Sequence, residues 1–152
     1  MLRLNLFLAL GYFFGGYLGT LIAIPPSHAS SIWPAAGIAL VGIVTYGRSV
    51  IPGIWLGAFF IQVYAFLDIA NLQNIPTSLL IGGIASTAAT AQAVVGAWLI
   101  KHNLGANNPL ISDSSILRFF ALGGLLSCII SASIGITTLY LEGVINLENI
   151  AF

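Results

Sequence analysis

The sequence predicts an all-α fold, a polytopic transmembrane helix bundle of five spans, and three observations carry that prediction. Charged residues are 5% of the 152 in the chain, against about 25% in soluble domains. Hydrophobic residues reach 59%, with 17 glycines besides, and the mean hydropathy is +1.04, so polar side chains are too few to clothe a water-soluble globule. The apolar residues also fall into runs, and the short segments between the runs hold most of the charges. A β-barrel does not fit, because barrel strands alternate apolar and polar residues at every second position and these runs do not.

A hydrocarbon core of about 30 Å needs roughly 20 apolar residues per helix. The first uncharged run, 4–24, stops at Pro25-Pro26, where backbone donors are missing. The second, 33–46, is short. Arg48 then interrupts thirty otherwise apolar residues (31–60), which places it in a turn between two antiparallel spans. The third span, 51–67, carries Pro52 in its first turn, where the missing N–H would have had no partner in any case. Pro76 opens the fourth, 76–100, and Arg118 opens the fifth, 118–141.

Five spans with a cytoplasmic N-terminus put Arg3, Arg48, Lys101 and Arg118 on one side, and Asp68, Glu142 and Glu148 on the other. Basic residues beside short loops set orientation during insertion, so the predicted topology puts the basic side in the cytoplasm. Ser27-His28-Ala29 resembles a signal cleavage site. A signal core of about 7–15 residues is shorter than this first run, so the run is read as a span.

Small residues recur four apart: Gly11, Gly15 and Gly19; Gly53 and Gly57; Gly82, Ser86 and Thr90; Gly123, Ser127, Ser131 and Gly135. Such ladders let helix backbones approach closely in lipid. Packing within one bundle is the first reading, and a homodimer seam is the second.

The chemical inventory excludes several classes. Four basic and four acidic residues cancel, leaving no basic patch for nucleic acid. His28 and His102 fall on opposite sides in this topology and cannot share a metal. No carboxylate lies inside a span, which argues against a proton relay or ion pump. No phosphate-binding glycine loop or nucleophile–base set is present, so no cofactor and no catalytic or metal residue is assigned. Cys128 reads as a small buried hydrophobe and cannot form an internal disulfide. Gln92 is the large amide deep in a span, read as an interhelical hydrogen-bond partner or a ligand contact. Trp33 and Trp55 read as interfacial anchors, with a second reading for Trp33-Pro34 as the wall of an outward-facing pocket. Arg48 reads as a topology determinant or as a contact for a cytoplasmic module.

The stretch IWPAAGIALVGIVTYGRSVIPGIWLGAFF resembles the hallmark of the first membrane-associated sensor domain family of bacterial receptors. The matching residues are Trp33, Pro34, Gly37, Ile38, Ala39 and Leu40, then Gly47 and Arg48, then Pro52, Gly53, Ile54, Leu56, Gly57, Ala58 and Phe59. The stretches 90–105 and 118–145 are also similar. The resemblance implies a sensory input domain for a diguanylate cyclase, phosphodiesterase or histidine kinase, answering to a small-molecule or membrane-state signal. It also implies about eight spans, so this chain is expected to be either a truncated piece of a longer receptor, lacking the output module, or a vestigial membrane domain that works alone, in both cases without enzymatic activity of its own. The competing reading from the Gly-rich, Pro-interrupted spans is a small permease or transporter subunit.

Overall fold

The computed structural model describes residues 1–22, 32–66, 75–104 and 113–141, and all the described elements are helical. Helix α1 spans Leu2–Leu21, α2 Pro34–Tyr46, α3 Ile51–Phe66, α4 Ile75–Leu104, α5 Asp113–Phe119 and α6 Ser127–Leu141. A four-residue 3-10 turn, Gly47–Val50, joins α2 to α3, and a π-helical stretch, Phe120–Leu126, joins α5 to α6.

Among the described residues, four segments are long and apolar enough to cross a membrane, not the five predicted: Leu2–Leu21, Pro34–Ala65, Ile75–Asn103 and Ser115–Thr138. The difference lies in the second. The helices α2 and α3 have 13 and 16 residues, about 20 and 24 Å at 1.5 Å per residue, and neither alone matches a 30 Å hydrocarbon core. Contacts with α1 give their directions. Leu8 lies against Gly42, Gly15 against Ala35 and Ile38, and Gly19 against Trp33, so α2 runs antiparallel to α1. Asn5 lies against Gly53, Ala9 and Tyr12 against Gly57, and Gly16 against Ile61, so α3 runs parallel to α1. The chain therefore reverses at Gly47–Val50, where Arg48 stands exposed.

Two local features make the reversal. Gly47 has φ 73°, a left-handed conformation that a side chain would resist. Asn5 then clamps the turn to α1: its Nδ2 donates to the Ser49 carbonyl at 3.0 Å, and its Oδ1 accepts from the Gly53 N–H at 2.8 Å. That N–H belongs to the first turn of α3, where intrahelical acceptors are lacking. Immediately beyond, α3 lies so close to α1 that a Cβ at Gly53 would overlap the Asn5 backbone, and one at Gly57 would overlap Ala9.

The small-residue ladders are largely used inside the bundle. Gly82 packs on Val63, Gly96 lies between Leu40 and Ser127, and Gly123 lies against Ile100 and Leu40. These contacts run α4 antiparallel to α3 and to α6. Ser86, Thr90 and Ser127 are buried, and each hydroxyl donates to a carbonyl one turn earlier on its own helix. Apolar core residues from Leu8 and Tyr12 through Ile43, Ile54 and Ile61 to Ala93 and Ala97 join α1, α2, α3 and α4.

The π-helical stretch has no counterpart in the sequence reading, which took 118–141 as one regular helix. Gly123-Gly124 at its centre imposes little backbone restraint, and π turns are wider than α turns. The Ser127 hydroxyl donates to the carbonyls of both Gly123 and Gly124, and the Ser127 backbone N–H also reaches the Gly124 carbonyl.

Arg3 begins α1, Arg48 lies in the turn tied to Asn5, Lys101 lies in the last turn of α4 and Arg118 in α5. The helix directions bring all four to one end of the bundle. Pro25, Pro26, His28, Asp68, Glu142 and Glu148 lie outside the described residues.

Candidate functional site

A cavity of about 370 Å³ runs from the end of the bundle opposite the basic residues into its middle. Its upper wall is built by residues close to helix ends: Thr20 of α1, Trp33 before α2, and Ala65 of α3. Its floor lies among Tyr12, Gln62, Gln92, Cys128 and Ser131. The space exists because the remaining lining positions are alanines, among them Ala36, Ala89 and Ala132, whose single methyl groups leave the gap between backbones unfilled. A smaller space of about 190 Å³ shares Gln62 and Ser131 as walls.

Trp33 caps α2 from the N-terminal side and is half-buried, with its ring against Gly19. Trp33 lines the cavity together with the buried Tyr12. It is thus turned into the bundle, whereas an interfacial anchor would point to the headgroups. Gln92 sits in mid-α4, and its Nε2 donates to Cys128 Sγ on α6 at 3.1 Å. The amide does bridge two helices, but to a thiol and not to a backbone carbonyl. Cys128 itself is exposed, not the buried hydrophobe the sequence suggests.

Two of the predicted site residues, Trp33 and Gln92, therefore meet on one cavity. The others serve the frame. Pro34 is the first residue of α2, where its fixed φ favours helix initiation. Gly37 has open space beside it and lines an adjoining groove of about 220 Å³ that Gln92 also touches. Pro52 opens α3, and Gly53 and Gly57 admit α1. Arg48 is exposed at the far end from the cavity. Trp55, behind the turn, donates from Nε1 to Thr87 Oγ1 at 3.1 Å and stacks on Phe59, which ties α3 to α4.

Sequence reasoning missed Tyr12, Gln62 and Ser131. Tyr12 stands between glycines in a run of aromatics and carries no distinguishing signal. Gln62 had one: like Gln92, it is a large amide within an apolar span. Among the described residues, Gln62 and Ser131 have no hydrogen-bond partner, yet no buried side-chain nitrogen or oxygen is left unsatisfied. Their polar atoms are therefore accessible, and both side chains line the cavity as well as the smaller space beside it. The wall has no charged side chain among the described residues, and no group of three or more metal-ligating side chains occurs among them. What the arrangement can do is hold a small neutral guest by hydrogen bonds and ring contact; it offers no nucleophile–base pair for chemistry.

No curated protein and no solved structure matches the chain. The family model of MASE1, a membrane-associated sensor domain of signalling receptors, matches residues 4–151. With nearly its whole length covered and its apolar helices framing a neutral cavity, the chain belongs to the MASE1 family of membrane sensory domains.

Proposed function

We propose that this chain is the sensory input domain of a bacterial receptor in the plasma membrane, and that the Trp33–Gln92 cavity is where the input acts. The observation that carries this reading is the position of the cavity: it lies among α1, α3, α4 and α6, so its occupant touches helices that would have to shift relative to one another to transmit a signal. A guest that binds two bundle arrangements unequally changes their populations, and an attached output module reads the change. The output would be a diguanylate cyclase, a phosphodiesterase or a histidine kinase.

The orientation we propose puts the basic end in the cytoplasm and the cavity toward the outside. The clustering of Arg3, Arg48, Lys101 and Arg118 at one end supports it. We further propose that the two arms of Pro34–Ala65 each cross the apolar layer, giving five crossings. The opposed directions of α2 and α3 along α1 support that count.

The test is to compare the intact receptor with one lacking residues 1–152, measuring output activity and its dependence on growth conditions. A sensory domain leaves a folded output module whose activity no longer varies. An output that varies identically without the domain overturns the reading.

A further inference from the structure

Resting on that reading for its consequence, but not for its chemistry, the ligand class of the cavity can be named. We propose that the cavity takes a small, uncharged, planar molecule bearing an amide-like or carbonyl hydrogen-bonding edge. Three features define that guest. The first is size: about 370 Å³ holds roughly a dozen water-sized groups at about 30 Å³ each, and lies near the lower end of the range for ligand pockets.

The second is charge. Placing an ion in a low-dielectric wall with no counter-charge is costly, and the described wall offers only amides, hydroxyls, a thiol and an indole. Phosphates, carboxylates and ammonium groups are thereby disfavoured. The third is the arrangement of polar groups. Gln62 and Ser131 present donors and acceptors without protein partners, and Gln92 spends one amide hydrogen on Cys128 while keeping its carbonyl free among the described residues. An amide donates and accepts at once, so a guest with an amide or carbonyl edge matches two such side chains. The Trp33 ring, packed against Gly19, lines the same cavity and supplies the aromatic contact a planar ring would take. Membrane access fits the same profile, since a neutral planar molecule partitions into an apolar bundle where an ion does not.

Benzamide and its charged isostere benzoate test the proposal as probes, with the full 152-residue chain in lipid nanodiscs. Trp55→Phe and Trp98→Phe leave Trp33 as the reporting tryptophan. Benzamide should change Trp33 fluorescence saturably, with benzoate at least tenfold weaker. Gln62→Leu should weaken benzamide at least fivefold, and the smaller change Ser131→Ala should do so in the same direction. Equal binding of the two probes, no saturable signal from either, or undiminished benzamide binding in both variants overturns the assignment. This binding measurement uses the chain alone, so its failure is separate from failure of the output test above.

Discussion

At the scale of single residues, polar side chains decide most of what an apolar chain of this kind can do. Asn5 is the clearest case, because one amide satisfies a carbonyl of the turn and an N–H at the start of α3. Removing it leaves the buried Gly53 N–H without its side-chain acceptor, at about 1–3 kcal/mol, while the exposed Ser49 carbonyl can turn to the polar surface. Asn5→Leu is therefore expected to lower the thermal midpoint of the detergent-solubilised protein by several degrees. Asn5→Asp keeps an acceptor for Gly53 and should recover part of the loss; equal loss in both variants contradicts the clamp. Arg48 acts differently. It is exposed in the turn and makes no ion pair among the described residues, and in the proposed topology it holds the turn at the polar surface. Moving an arginine to mid-bilayer costs about 2.5–3.5 kcal/mol on insertion scales. Arg48→Leu removes that barrier and is expected to scramble insertion, seen as mixed signals from reporters fused after residue 71. An unchanged reporter pattern would show that the turn is set by Gly47 and Asn5 without the charge.

At the scale of elements, the helix glycines separate into those that admit a neighbour and those that do not. Gly53 and Gly57 face backbone atoms of α1 that cannot retreat without moving the helix, whereas Gly37 and Gly83 have open space around the position of a Cβ. Gly57→Leu should destabilise by at least about 1–3 kcal/mol through overpacking. Gly83→Ala should be neutral or stabilising by up to about 1 kcal/mol through helix propensity. Thermal unfolding of the pair checks both signs. This division was only partly legible in the sequence. The existence of each helix, the turn at Arg48 and the small-residue seams could be read, because runs of apolar residues, Pro and basic residues have direct meaning in a bilayer. Length alone did not settle the count of candidate spans, because α2 and α3 are each too short for a length rule; their opposed contacts with α1 agree with the reversal read at Arg48. The π-helical stretch was also hidden, since its cause is a register choice around Gly123-Gly124 and not a residue type. Of the cavity, Trp33 and Gln92 were found because large polar or aromatic groups in apolar spans stand out. Tyr12 and Ser131 were missed because only tertiary packing brings them there.

At the scale of the whole molecule, the four basic residues gather at one end and the cavity reaches in from the other. With the basic end inside, reporters fused after residues 48 and 108 should give a cytoplasmic signal, and those after residues 28, 71 and 148 a periplasmic one. A periplasmic signal at 48 would reverse the orientation and direct the cavity to the cytoplasm. The family places the molecule among membrane sensory domains, and in the proposed function the signal passes through the neutral cavity. The most direct test is the signal-dependent output of the full-length receptor in cells. Gln92→Leu and Trp33→Ala should be compared with Leu18→Ala, whose side chain is exposed on the outer surface of the bundle. The account predicts that the two cavity variants insert at normal levels but lose most of the response, by tenfold or more, while Leu18→Ala responds like the parent. A full response from both cavity variants would contradict it and leave Trp33 and Gln92 as packing residues.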